Sequence, residues 1–202
     1  VIKVLPENLI NQIAAGEVVE RHSSVVKELI ENSIDAKANK ITVEIKDKDK
    51  DIIKITDNGT GMSFDDARLA FERHATSKIS NASDLENINT MGFRGEAIAS
   101  IASVSHVVLK TKKEDDKTGT LVECEYGKIV KHKECVCPSG TSIEVRNLFF
   151  NTPARKKHLK SPKSEYQLIL YDFQAIALAN QGIDFSLFHN KKKSFQLIKT
   201  DK

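Results

Sequence analysis

The chain has 202 residues, of which 40% are apolar and 29% charged, with a formal net charge of +3. This composition excludes a disordered chain, and the length suffices for one large domain or two small ones. No apolar run approaches a bilayer span, no charged n-region with an h-region opens the chain, and so small a net charge does not by itself imply nucleic acid.

The lysine excess is local, at residues 110–113, 128–133, 155–163 and 191–193. Cys124, Cys135 and Cys137 are an odd count with a C-x-C pair, and His132 is the one histidine nearby. That pattern argues against both a disulfide framework and a zinc site, so these read as plain strand residues with reduced thiols in an intracellular compartment.

In chain order, Pro6–Ala15 reads as a short helix carrying Leu9, Ile10 and Ile13, which Gly16 breaks. The next helix carries the stretch Val25–Lys37. At helical pitch Glu28, Asn32 and Asp35 fall at i, i+4 and i+7 and form one stripe. Val25, Val26, Leu29, Ile30 and Ile34 fill the adjacent arc and must face a core, while Lys27 and Glu31 point to water. The stripe therefore lies at the edge of the buried face. A carboxylate and an amide there need partners, because burying each unpaired costs about 1–3 kcal/mol. Either neighbouring backbone groups or a metal ion, a water and a ligand would serve.

Ile41–Lys46 and Ile52–Thr56 alternate with period two, as half-buried strands do, and the charge run from Lys46 to Asp51 between them reads as a solvated turn. Asp57-Asn58-Gly59-Thr60-Gly61 follows the second strand. Ser63 is a suitable N-cap for a helix starting Phe64-Asp65-Asp66. From His74 to Met91 the chain is rich in Ser, Thr and Asn and reads as a long loop, with one helical turn near Asp84–Glu86. Gly92-Phe93-Arg94-Gly95-Glu96 then opens a helix to about Ala102.

Val107–Thr111, Thr120–Tyr126, Lys128–Lys133 and Thr141–Val145 read as successive strands of an antiparallel meander. After Asn151-Thr152-Pro153, Ser164 caps a helix with Tyr166, Ile169, Leu170, Phe173, Ile176 and Ala177 on one face, ended by Asn180 and Gly182. Asp184–His189 and Ser194–Ile198 form a last strand pair. The element order predicts an α+β fold, a two-layer sandwich with a mixed, mostly antiparallel sheet and helices on one face.

Three stretches carry chemistry. Asp57-x-Gly59-x-Gly61 ends a strand; its glycines let a flat ligand approach the backbone, and the aspartate can accept from an exocyclic amine such as adenine's. Asp-Asn-Gly is equally an ordinary turn sequence. Gly92-x-x-Gly95 at a helix start offers free N–H groups and a positive dipole end to an anion, or is simply a tight turn; it is neither a Walker nor a Rossmann loop. Thr76-Ser77-Lys78 supplies two hydroxyls and a cation. Together with Glu28 as a carboxylate base and Asn32 as a Mg²⁺-binding amide, these parts would make a nucleotide hydrolase site.

The stretches Asn11–Val19, Lys27–Ala36, Asp57–Gly61, Ala75–Lys78, Gly92–Ala97 and Asn151–Arg155 resemble, in order and over nearly the whole chain, the N-terminal ATPase domain of the MutL family. MutL is the DNA mismatch-repair branch of the gyrase, heat-shock chaperone, histidine-kinase and MutL (GHKL, Bergerat-fold) ATPases. Glu-x-x-x-Asn and Asp-x-Gly-x-Gly are shared across that superfamily, whereas Gly-Phe-Arg-Gly-Glu-Ala and Asn-Thr-Pro-Ala-Arg point to MutL.

The resemblance implies a left-handed β-α-β ATP fold with a lid between Asp57 and Ala97, and an ATPase that uses ATP and Mg²⁺. By position it assigns Glu28 as general base, Asn32 to Mg²⁺ and Asp57 to adenine. Asp35, Gly59, Gly61, Thr76, Ser77 and Lys78 join the nucleotide set; Gly92, Phe93, Arg94, Gly95, Glu96, Ala97 and Ile98 meet the phosphates; Thr141 supports the adenine end. It also implies as partners DNA (weakly and without sequence preference, with Lys156, Lys157 and Lys160 as contacts or as a solvated face), the mismatch-recognition protein MutS, and a second copy or a MutL paralogue, with no membrane.

The bacterial cytoplasm is the expected compartment, nucleoid-associated, or the nucleus for a eukaryotic homologue. A topoisomerase- or kinase-type ATPase module is the alternative, and a binding scaffold without catalysis a third reading; no phosphoacceptor histidine region is apparent. His74, His106, His158 and His189 read as ordinary residues. Residues 1–202 read as one ATPase domain. The family's second domain, which supplies a lysine to the γ-phosphate, and its C-terminal dimerisation region have no counterpart here, so slow turnover is expected. There are two departures: His22 where the family usually has proline, and Lys37 where many bacterial members have glycine.

Overall fold

The computed structural model describes residues 6–47, 51–73 and 96–200. The expected loop over 74–91 and the turn between the first two strands at 48–50 lie outside them. Helix α1 spans Glu7–Val18 and α2 His22–Asp35. Strands β1 (Lys40–Lys46) and β2 (Ile52–Asp57) follow, then α3 (Phe64–Leu69), α4 (Ala97–Ser103), β3 (His106–Lys112), β4 (Gly119–Glu125), β5 (Lys128–Cys135), β6 (Gly140–Arg146), α5 (Pro153–His158), α6 (Pro162–Ala179), β7 (Asp184–His189) and β8 (Lys192–Leu197).

All eight strands form one sheet, ordered β5-β4-β3-β6-β2-β1-β7-β8. Every pairing is antiparallel except β1 with β7. The alternation along β1 and β3 turns Ile41, Val43, Ile45, Val107 and Leu109 inward, where they bury with Val25, Val26, Leu29 and Ile30 of α2 and Ile169, Phe173 and Ala177 of α6. Each such side chain contributes about 1.5–3 kcal/mol by leaving water. α2 packs on α6 and α1 on α4, so the predicted two-layer α+β sandwich is what forms. At one sheet edge, β5 is mostly exposed and carries Lys128, Lys131 and Lys133, charges that discourage further strand pairing.

Several expectations need correction. Gly16 does not break α1; a side chain there would collide with the Arg155 guanidinium, so the glycine serves close packing inside the helix. β6 does not continue the β3-β4-β5 meander but crosses over to lie between β3 and β2, a non-local pairing that periodicity cannot specify. A short helix α5, unforeseen, follows Thr152. The cap of α6 is Ser161, not Ser164: Ser161 Oγ accepts the Ser164 N–H at 3.3 Å, and Pro162 occupies the first turn. Glu31 is not on the solvated side; its side chain is only 15% exposed, with Lys27 Nζ 4.0 Å away.

Other local readings hold. Ser63 caps α3 by accepting the Asp66 N–H. α2 ends in a Schellman turn, Ala38 N–H to Ser33 O and Lys37 N–H to Ile34 O, with Lys37 at φ 60°. This left-handed position costs a side-chain-bearing residue about 1 kcal/mol relative to glycine, so its geometry favours glycine over the lysine that stands there.

Candidate functional site

Asp57 ends β2 and is 8% exposed, one of two buried carboxylates among the described residues. Its Oδ2 accepts from the Ser33 hydroxyl of α2 at 2.8 Å, and its Oδ1 from the N–H of Gly59 at 2.9 Å and of Thr141 at 3.3 Å. Burial pushes the Asp57 carboxyl above the ordinary carboxylate range, and these three neutral donors offset that only in part. Among the described residues, then, the partners of this acceptor are a hydroxyl and two backbone N–H groups.

Around it the polar groups are tightly arranged. Thr111, fully buried at the end of β3, accepts the Met62 N–H at 3.0 Å and donates to Gly140 O at 3.0 Å, while its Oγ1 lies 3.0 Å from that of Thr141. Thr141 pairs with both Asp57 and Thr111 across the sheet, so β6 locks the ends of β2 and β3 together. Asn58 Oδ1 accepts the N–H groups of Asn39 and Lys40 at 3.0 and 2.9 Å, fixing the turn after Asp57. Gly61, at φ +66°, passes so close to Lys112 O that no Cβ fits, and a Cβ at Gly59 would lie 2.7 Å from Ala36 O. Close approach of the protein's own backbone requires both glycines, and Gly61 has the positive φ expected of it. Glu28, Asn32 and Asp35 are half-buried along α2, and the same helix delivers Ser33 to Asp57.

A family model described as "Histidine kinase-, DNA gyrase B-, and HSP90-like ATPase" matches residues 20–155. The chain belongs to that ATPase family. Within it, the chain is of the MutL type. It is 55% identical over 98% of its length to the DNA mismatch repair protein MutL of Christiangramia forsetii, covering 32% of that protein, and 54% identical over 96% to MutL of Caldanaerobacter subterraneus, covering 33%. The chain thus spans about a third of the length of the curated relatives it matches. Among solved structures it resembles the Aquifex aeolicus MutL ATPase domain complexed with ADP, at TM-score 0.72 and 36% identity, over 91% of this chain and 66% of that one.

Of the expected site residues, Gly59 and Thr141 each donate an N–H to Asp57, while Glu28, Asn32 and Asp35 lie on α2, the helix whose Ser33 meets that carboxylate. Thr76, Ser77, Lys78, Gly92, Phe93, Arg94 and Gly95 lie outside the described residues. Glu96 caps α4 and pairs with Arg73 at 3.6 Å; Ala97 and Ile98 begin that helix. Ser33 and Thr111 were missed. Each had a signal: Ser33 is a hydroxyl on the apolar arc of α2, and Thr111 a polar residue at an inward strand position after Val107 and Leu109. Arg155 lies over the Phe149 ring, 5.2 Å from its centroid, while Lys156, Lys157 and His158 face outward on α5, which buries no residue. Among the described residues no helix is long and apolar enough to cross a membrane.

Proposed function

We propose that the chain binds ATP with Mg²⁺ and hydrolyses it slowly, as the nucleotide switch of a MutL-type mismatch-repair protein. The observation that carries this reading is Asp57, a buried carboxylate whose donors among the described residues are neutral, set among Ser33, Thr111 and Thr141. An adenine amino group would donate to it and favour the ionised form. The Aquifex aeolicus relative, whose structure holds ADP, supports the ligand class.

Magnesium fits the donor chemistry: the Asn32 amide oxygen and the carboxylates on its stripe are hard oxygen ligands. When bound, the ion would neutralise phosphate charge. Glu28, one turn before Asn32, would take a proton from the attacking water, and Asp35, Gly59, Gly61, Thr76, Ser77, Lys78 and residues 92–98 would line the nucleotide. Ile10 and Ile13 on α1, 43% and 57% exposed, are apolar surface that a second copy would cover on ATP binding. DNA phosphates at Lys156, Lys157 and Lys160, MutS as partner and the bacterial cytoplasm as compartment belong to the same proposal.

The decisive experiment is Glu28→Ala beside Asp57→Asn, with binding of a non-hydrolysable ATP analogue followed by calorimetry and phosphate release measured on a longer N-terminal fragment. Glu28→Ala keeps binding and loses about 10²–10⁴-fold in hydrolysis, and Asp57→Asn loses binding. Unchanged hydrolysis in the first variant overturns the base assignment.

A further inference from the structure

We propose that Cys135 and Cys137 form a reversible dithiol–disulfide site, oxidised by a peroxide, whose closure loosens the adenine end of the nucleotide site; the second half of this inference rests on the function proposed above. Cys135 ends β5, and residues 136–139 then carry the chain across the ends of β4 and β3 to Gly140, where β6 begins. Val136 points outward, 98% exposed, and the cysteines on either side of it are half-buried. Both meet at Gly119 of β4: Cys135 is its register partner across the sheet, and Cys137 Sγ lies against the same glycine. Cys137 Sγ also sits 3.6 Å from Thr111 O and fills the space that a side chain at Gly119 would need.

This crossing is the immediate lead into the site. Gly140 O is held by Thr111, and the Thr141 N–H donates to Asp57. The third cysteine differs in kind: Cys124 faces the core, and burial pushes its thiol up to about 11, which leaves it inert.

The chemistry balances with one named oxidant. One thiolate attacks a peroxide oxygen, the O–O bond breaks, and a sulfenic acid forms with release of hydroxide, which takes up the thiol proton as water. The second thiol attacks that sulfur, an S–S bond forms, and water leaves. The two thiols lose two electrons and two protons; the peroxide becomes two waters. Burial and the neighbouring Cys135 raise the Cys137 thiol above its ordinary range, against the pull of Lys112 and Lys110. Two residues of extended chain span about 6.6 Å, near the upper end of the Cα separations of about 4.4–6.8 Å that a disulfide accepts. Closure therefore shortens the crossing and draws on Gly140 and Thr141.

The test uses the chain and its Cys124→Ser variant, reduced or treated with hydrogen peroxide. Readouts are the free-thiol count, intact mass, a peptide map and affinity for the non-hydrolysable ATP analogue. Peroxide is expected to remove two thiols and two hydrogens, to link Cys135 with Cys137, and to weaken binding about three- to tenfold, with dithiothreitol restoring it. Cys135→Ser and Cys137→Ser lose the response. Unchanged thiols, sulfinic acid without a link, or oxidised protein that binds as tightly as reduced protein overturns the inference. If the reduced chain binds no nucleotide, the function proposed above fails and the coupling with it, while the mass still decides the disulfide.

Discussion

The two ends of the α2–β2 pair each hold a buried carboxylate, and they are satisfied in opposite ways. At one end Asp57 has a hydroxyl and two N–H groups, all neutral. At the other, Glu165 of α6, 4% exposed, lies 3.4 Å from His22 Nδ1 and 3.8 Å from Arg21, and accepts the Lys160 N–H at 2.9 Å. His22 Nε2 in turn meets Asp51, just before β2, at 2.8 Å, and Asp51 accepts the Leu148 N–H. The His22 node is closed by the protein's own charges and holds α2, α6 and the start of β2 together. Among the described residues the Asp57 node meets no charged partner, and it is suited to a ligand's donor. The same buried chemistry serves structure at one end and, in our proposal, recognition at the other.

The comparison can be broken at its closed end first. Glu165→Leu leaves His22 and Arg21 without their buried anion and should cost about 3 kcal/mol, read by urea unfolding. Adding His22→Leu should recover part of that loss, because the uncompensated cation goes with it. Failure of the double variant to recover would mean that packing, not charge, dominates there.

At the open end, Ser33→Ala removes one donor from Asp57 and should weaken binding of the ATP analogue about three- to tenfold with little change in unfolding midpoint. A large stability loss instead would make Ser33 a structural residue.

The pH dependence sharpens the contrast. Burial alone would lower His22, but the hydrogen bonds and charges of Asp51 and Glu165 outweigh it and hold the imidazole above its ordinary 6.5. A raised folded value means that the contribution is complete below pH 6.5 and is lost as pH rises through the folded value. Stability should therefore fall in that window for the native chain, and His22→Asn should flatten the profile. The smallest effect is expected at Lys37→Gly, which relieves the positive φ and should add about 1 kcal/mol without altering nucleotide affinity.

Much of this was legible in the residues. The stripe of Glu28, Asn32 and Asp35, the β1–β2 hairpin and the Ser63 cap depend on contacts within a few positions, where backbone period and capping geometry leave few choices. Asp57 was legible as an acceptor because it directly follows a strand and precedes two glycines. His22 was visible only as a departure. Its partners lie 29 and 143 positions away, and nothing local announces them.

The sequence by itself determined the sandwich class, the helices and strands of that local kind, and the family to which they belong. Tertiary structure alone decided that β6 enters between β3 and β2, that β7 runs parallel to β1, that Ser33 and Thr111 converge on Asp57 and Thr141, and that two cysteines read as strand residues both reach Gly119. The reason is physical: local elements follow from dihedral preference and periodicity, whereas these meetings require distant segments to share one buried face, and many pairings satisfy the same pattern until the whole core is packed.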